Sequence, residues 1–288
     1  MNQREKLTVT IKRDLFPKID AIIDGHKIRN RSHATEFLIE QGLGIEKITK
    51  AIILVGGEGV RLRPFTYELP KVMLPIHGKP MVQHIIEQLK FHGVRDIVLA
   101  VYYKAEKIKE YFGNGHHFGV NIKYVEEKTP LGTAGPLRLA KKYLTESFYI
   151  VWGDILSQLD LTDFAKFHKE HGGLTTVALT TVDDTSRYGV VMLNGNKIVG
   201  FVEKPKKEDA PSNLINSGVA LMEPDVIKKY VPKTGKAMVE YDIYPKLAKE
   251  GNLYGYPFQG QWFDTGNFER LERARKLWKG IVIEEERD

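Results

Sequence analysis

The chain contains no cysteine, which excludes disulfides, thiolate catalysis and Cys-ligated zinc together. Its longest apolar runs are only strand-sized, too short for a helix to span a membrane. The N-terminus lacks the apolar core of a signal peptide, and a cytoplasmic protein is the simplest reading. No strong excess of one charge demands nucleic acid. With 43 basic and 37 acidic residues among 288, the net +6 suits phosphorylated ligands and tolerates nucleic acid. Internal repeats and low-complexity stretches are also lacking. What is present, 42% hydrophobic and 28% charged residues, is the composition of a globular protein with room for one large α/β domain and a small appendage.

The appendage is expected at residues 1–48. "KLTVTIK" (Lys6 to Lys12) alternates strictly: Leu7, Val9 and Ile11 face one way, Lys6, Thr8, Thr10 and Lys12 the other, as in a half-buried strand. Pro17 stands near a helix start, ahead of Ile19, Ile22 and Ile23 at helical spacing. After the polar break "DGHKIRNRS", Ser32 is placed to cap a second helix carrying Ala34, Phe37, Leu38 and Ile39, which Gly42 and Gly44 stop. One strand and two short helices close no core alone, whereas pairing the strand with its copy in a second chain does. This organisation, with "RNRSHATEFLIEQGL", resembles the ribbon-helix-helix family of DNA-binding dimers. The resemblance implies a homodimer or higher even oligomer. It also implies Lys6, Thr8 and Thr10 at base edges, with Arg31 and Ser32 at a phosphate. A dimerisation module that touches no DNA fits the same pattern, so DNA stays open as a partner.

Residues 49–288 read differently. "KAIILVGG" is a buried-type strand, and "DIVLAVYY", "FYIVWGD" and "TTVALTTV" each follow a helical pattern. Such alternation argues for a Rossmann-like α/β domain with a mainly parallel sheet, helices on both faces, and ligands beyond the carboxyl ends of the strands. The first strand ends in "ILVGGEGVRLRP". No Lys-Ser/Thr pair ends a Walker spacing there, and Leu62 holds the place of a third dinucleotide-fingerprint glycine. What remains is Gly56-Gly57-Glu58-Gly59, a bare backbone able to bring N–H groups to a polyphosphate. Arg61, Arg63 and Lys71 follow, and several cations near such a loop suit a triphosphate. A tight turn with surface arginines is the alternative.

"LVGGEGVRLRPFTYELPKVMLPIHGKPM" resembles the signature of the sugar-1-phosphate nucleotidylyltransferases. "TPLGTAGPL", "VWGD", "SRYGVV", "FVEKP", "NSGV" and "WFDTGNFERL" follow in family order, from residue 50 to about 270. The strongest likeness is to the mannose-1-phosphate guanylyltransferases. The resemblance implies transfer of a nucleotidyl group from a nucleoside triphosphate to a sugar 1-phosphate, with release of pyrophosphate and use of Mg²⁺. It implies that Gly56, Gly57 and Gly59, with Gly132, wrap the nucleotide. Arg61 would stabilise the departing pyrophosphate and Lys71 would bridge the two phosphates. Asp154 and Asp264 would hold the metal. Lys204 would meet the sugar phosphate, while Glu203, Asn216 and the Gly189 backbone would take sugar hydroxyls. Tyr188 fits packing as well as contact.

Two departures and one choice stand out. Val60 replaces a usual threonine, which removes a hydroxyl from the loop and points to reduced or shifted activity. Val72 replaces a usual proline without expected consequence. Glu127 stands where uridylyl- and thymidylyltransferases carry glutamine. A carboxylate only accepts, so it suits the adjacent N1–H and 2-amino donors of guanine and hence GTP. UTP or dTTP with glucose 1-phosphate is the competing reading, as is a DNA-binding regulator whose large domain senses a nucleotide sugar. The pairs His116/His117 and His168/His171 are given no role. Hexapeptide repeats are absent, so the β-helical extension of some relatives is not expected.

Overall fold

In the computed structural model, which describes residues 8–23, 28–42 and 47–280, the chain divides into two units with the break between Lys47 and Ile48. In the first unit, a short 3-10 turn (Arg13–Leu15) leads into α1 (Phe16–Asp20), and α2 (Arg31–Gly42) follows. Ile19 and Ala34 are buried. Helix α1 stops short of Ile22 and Ile23, which lie after its end.

Lys6, Leu7 and Gly44 lie outside the described residues, and among the described residues Thr8 to Lys12 form no ladder. Ser32 is not the cap of α2. Asn30 takes that place, its Oδ1 accepting the His33 N–H at 2.9 Å and its carbonyl the Ala34 N–H at 2.9 Å. Asparagine is at least as good a cap as serine, and it comes first. Arg31, expected at a phosphate, makes a bidentate pair with Asp20 at 2.7 and 2.6 Å and lies over the Phe16 ring. That pair ties the end of α1 to the start of α2.

The second unit runs β1 (Lys50–Leu54), a short hairpin β2 (Pro75–Ile76) and β3 (Lys79–Pro80), α3 (Met81–Phe91), β4 (Asp96–Val101), α4 (Ala105–Phe112), β5 (Asn121–Glu126), α5 (Gly135–Ala140), β6 (Phe148–Trp152) and β7 (Ile155–Ser157). It continues through α6 (Leu161–His171), β8 (Thr175–Thr181), β9 (Gly189–Asn194), β10 (Lys197–Glu203), β11 (Leu214–Met222), α7 (Pro224–Tyr230), α8 (Tyr244–Lys249), β12 (Leu253–Pro257), β13 (Trp262–Asp264) and α9 (Phe268–Leu277). One sheet has the order β5-β4-β1-β6-β11-β8-β12-β10-β9. Strands β5, β4, β1 and β6 are parallel neighbours. Strand β11 is antiparallel to β6 and β8, and β10 is antiparallel to β12 and β9, so the sheet is mixed.

Successive residues of β1 enter opposite cores, as the two-residue strand period requires. Ala51 and Ile53 join Ile85, Ile86 and Leu89 of α3 and Leu271 of α9, whereas Ile52 joins Leu137 of α5 and Leu247 of α8. Met81, Val82, Ile85, Ile86 and Leu89 form one stripe on α3, and each large side chain buried this way stabilises by roughly 1.5–3 kcal/mol. Burial on both faces leaves the carboxyl edge of the sheet for chemistry. There Leu54 of β1 and Trp152 of β6 are in register, so the glycine loop and Asp154 leave the sheet side by side.

Candidate active site

Each loop glycine has a different task. A Cβ at Gly56 would lie 3.1 Å from Glu127 Oε1 and 3.2 Å from Tyr102 Cβ, whereas one at Gly57 would meet open space. Gly59 is left-handed (φ +64°), and its Cβ would lie 2.8 Å from Lys71 Cβ and 2.9 Å from Thr66 Cγ2. The loop therefore rests directly on the Lys71 stem, an approach open only to glycine. The Thr66 hydroxyl donates to the Gly59 carbonyl at 2.9 Å and fixes the turn. Val60 follows, half exposed.

Lys71 is buried and its ammonium pairs with Asp154. A Cβ on Gly153, just before that aspartate, would meet the Leu54 carbonyl at 2.7 Å and Val72 Cγ1 at 3.1 Å. Val72 is thus an ordinary core residue beneath the Asp154 turn. Asp264 arrives by a separate route. Strand β13 pairs antiparallel with β7, setting Asp264 opposite Ile155, and the Thr265 N–H and hydroxyl donate to the Asp154 carbonyl at 3.1 and 2.9 Å.

The Asp264 carboxylate accepts the Gly266 N–H on Oδ1 at 2.6 Å. Its Oδ2 accepts the Tyr188 hydroxyl at 3.1 Å and pairs with Arg270. Arg61 joins this group, with Nη2 3.2 Å from the Cβ position of Gly266. Arg63 does not; it turns to Glu58 at 3.8 Å and to the Tyr67 ring. Burial raises the Asp154 carboxyl, but Lys71 and, more weakly, Arg61 outweigh it and hold the group below the usual carboxylate range. Burial, with Asp264 alongside, pushes the Tyr188 hydroxyl up to about 12.

Glu127 is buried at the end of β5, and its Oε2 accepts the Leu131 N–H at 2.6 Å. Burial raises its carboxyl against that hydrogen bond. Gly132 is left-handed (φ +81°), and a Cβ there would fall 2.3 Å from the Ala237 carbonyl oxygen. The Thr133 hydroxyl donates to Glu240 Oε2 at 2.5 Å and accepts the Val239 N–H at 2.8 Å.

At the other end, Gly189 and Glu203 are cross-strand partners, and a Cβ on Gly189 would lie 2.8 Å from Glu203 Oε2. Lys204 has a left-handed backbone (φ +50°), donates its N–H to the Tyr188 carbonyl at 2.9 Å and pairs with Glu203 at 3.0 Å. Such strain in a non-glycine residue gathers at functional sites. Asn216 Oδ1 accepts the Gly218 N–H at 2.9 Å inside a bulge of β11. The Gly218 Cβ position lies 3.4 Å from Trp152 Cβ, which brings the bulge to the end of β6.

The geometry thus gathers Gly59, Arg61, Lys71, Asp154 and Asp264. It sets Gly56, Glu127 and Gly132 on one side and Gly189, Glu203 and Lys204 on the other, linked to Asp264 through Tyr188. Thr133, Glu240 and Arg270 were not expected from the sequence. Glu240 is buried and lies in an irregular helical turn (Val239–Ile243), and its carboxyl is raised by burial and, less strongly, by nearby Glu203. The surplus histidines stay outside this set: His168 is buried between Thr176 and Glu223. Among the described residues, no three His, Cys, Asp or Glu side chains form a metal cluster.

Residues 50–279 match the family described as "Nucleotidyl transferase". The chain is 41% identical over 227 residues to "Mannose-1-phosphate guanyltransferase 2" of Candida glabrata, a match covering 75% of this chain and 61% of that protein. It therefore spans about three fifths of the curated relatives' length. Among solved structures, a provisionally assigned glucose-1-phosphate thymidylyltransferase from Bacillus anthracis, in complex with sucrose, superimposes with a TM-score of 0.74 at 28% identity, covering 81% of this chain and 96% of that one. HddC from Yersinia pseudotuberculosis, complexed with GMP-PN, gives 0.67 at 28% identity, with coverages of 80% and 99%. With a family match across most of its length and the same fold in solved relatives, the chain belongs to the nucleotidyl transferase family.

Proposed function

We propose that the second unit transfers a nucleotidyl group from GTP to a sugar 1-phosphate, mannose 1-phosphate, forming a nucleotide sugar and pyrophosphate. The observation that carries this reading is the convergence of a backbone-lined glycine loop, two cations and two carboxylates at one sheet edge. In-line attack of the sugar-phosphate oxygen on the α-phosphorus needs alignment and charge neutralisation more than covalent help. The loop N–H groups from Gly57 to Gly59 would cradle the triphosphate and Arg61 the departing pyrophosphate. Lys71 would move from Asp154 to the phosphates. Lys204 would hold the sugar phosphate, with Glu203, Asn216 and the Gly189 backbone at the hydroxyls.

Two protein carboxylates with hard oxygen donors fit Mg²⁺, which commonly binds one or two carboxylates and completes its shell with phosphate and water. Asp154 and Asp264 are the residues that would hold it. Bound there, the ion would neutralise charge on the transferring phosphate. Glu127 supports guanine: its Oε1 faces Gly56, and a base offering two N–H donors would stabilise a buried carboxylate. Mannose rests on the relatives' names.

Asp154→Asn and Asp264→Asn test the core of the reading. Each is expected to abolish nucleotide-sugar formation, followed chromatographically, while circular dichroism stays unchanged. Turnover persisting in both would remove these residues from the metal site.

The first unit we read as a ribbon-helix-helix dimerisation module. Val9, Phe16, Phe37, Leu38 and Ile39 are exposed at 36–54%, more apolar surface than so small a unit leaves bare alone. Sedimentation velocity of the full chain should give a dimer that Ile39→Glu dissociates; a wild-type monomer would contradict it. Thr8 and Thr10 are exposed, so DNA binding is tested on the same dimer by salt-dependent mobility shift. No helix among the described residues is long and apolar enough to cross a membrane.

A further inference from the structure

We infer that Arg270 is a built-in counter-ion of Asp264, holding one carboxylate oxygen until a divalent cation takes its place. This rests on the reading of Asp264 as a metal ligand.

The first support is local. Asn267 caps α9, its Oδ1 accepting the Arg270 N–H at 3.0 Å, so Arg270 is the third residue of the helix. The first turn of a helix carries partial positive charge, and glutamate or glutamine is the favoured third residue after such a cap. Arginine is the wrong sign for this place, and a local rule broken without local gain points to a task elsewhere. That task is visible. The guanidinium pairs with Asp264, and the two side chains are only 22% and 12% exposed.

The second support is the division of labour at the carboxylate. Oδ1 is fixed by the Gly266 N–H, while Oδ2 takes both replaceable donors, the Tyr188 hydroxyl and Arg270. The Arg270 guanidinium also lies 5.6 Å from the centre of the Tyr188 ring, so Tyr188 holds both partners of the pair. A cation arriving at Oδ2 must displace this clamp, whereas Oδ1 keeps the carboxylate aimed.

The third is a place for the displaced group. A cleft of about 440 Å³ adjoins Arg270 and is lined by Thr180, Asp183, Asp184 and Arg273 as well as Tyr188 and Asp264. Asp183 and Asp184 are exposed; Asp184 Oδ1 already accepts the Ser186 N–H and hydroxyl, so Asp183 and the second Asp184 oxygen are the acceptors a displaced guanidinium would meet. Each proposed metal ligand thus has its own cation in the chain, Lys71 for Asp154 and Arg270 for Asp264. Since the Tyr188 carbonyl also accepts the Lys204 N–H, the clamp touches the sugar-phosphate end of the site.

The test is Mn²⁺ binding to the full-length protein without nucleotide, by isothermal titration calorimetry and by loss of the free Mn²⁺ paramagnetic signal. Arg270→Met keeps the aliphatic stem and removes the charge; it should tighten Mn²⁺ by about tenfold, the scale of a moderate coupling between two sites. Arg270→Lys should stay near wild type. Tyr188→Phe removes a single hydrogen bond and should tighten binding by a smaller factor, which keeps the inference testable if Arg270→Met fails to fold. Asp264→Asn should weaken binding severely. If it does so while neither Arg270→Met nor Tyr188→Phe tightens binding, the counter-ion role is wrong and the metal reading stands. If Asp264→Asn leaves Mn²⁺ affinity unchanged, the metal reading fails and takes this inference with it.

Discussion

Glu127 accepts the Leu131 N–H on one carboxylate oxygen and presents the other beside Gly56, the oxygen that the proposed guanine would meet. Glutamine at 127 would exchange part of that acceptor capacity for a donor. Glu127→Gln should therefore lower the GTP-over-UTP ratio of kcat/KM by roughly tenfold to a hundredfold, the range of one well-placed hydrogen-bonded pair. An unchanged ratio would take Glu127 out of base recognition and leave it as the anchor of Leu131. Gly59 presents a steric case. Gly59→Ala places a methyl against Lys71 and Thr66 at φ +64° and should destabilise the protein by about 2 kcal/mol or more, read from urea unfolding. That Gly59, Lys71, Asp154 and Asp264 share one place was legible in the sequence, from a glycine loop and cations after a strand end and from the family motifs, and the structure brings them together. Arg31 was not, because its attraction to Asp20, eleven residues earlier, depends on how α1 and α2 come together.

Elements bring the two aspartates together. The antiparallel pairing of β7 with β13 sets Asp264 beside the Asp154 turn, and Thr265 closes the junction with two hydrogen bonds. Helix α9 starts directly after this junction, capped by Asn267. Asn267→Ala should cost about 1 kcal/mol of stability, and because Arg270 is three residues on, it should also loosen the Arg270–Asp264 pair. Equal unfolding midpoints would show that the cap contributes nothing. Apolar runs revealed β1, β4, β6 and β8, but neither the shorter strands nor the direction of β11. That run looks like any buried strand, and only its pairing with β6 and β8 gives its antiparallel course. Glu240 escaped notice for a related reason. It meets Thr133 across 107 residues, and only the fold makes them neighbours.

Across the whole molecule, a half-buried and a buried carboxylate of opposite character shape the response to pH. Asp154 lies below its unfolded value of 3.8, so the stability it contributes is present above that pH and is lost as pH falls through the lower folded value. Glu240 lies above its unfolded value of 4.5, so its contribution is full below that pH and is lost as pH rises through the raised folded value. Glu240→Gln should flatten the second of these slopes, gaining stability relative to wild type at neutral pH and little near pH 4 in urea titrations. A parallel pH profile in the variant would remove Glu240 as the source. The most direct measurement is pyrophosphate release by the full chain with Mg²⁺, using GTP, UTP, dTTP and ATP, each with mannose 1-phosphate and glucose 1-phosphate. Release is expected with GTP and mannose 1-phosphate above every other pair. Release favouring UTP or dTTP would overturn the role of Glu127, and no release from any pair would contradict the proposed reaction itself.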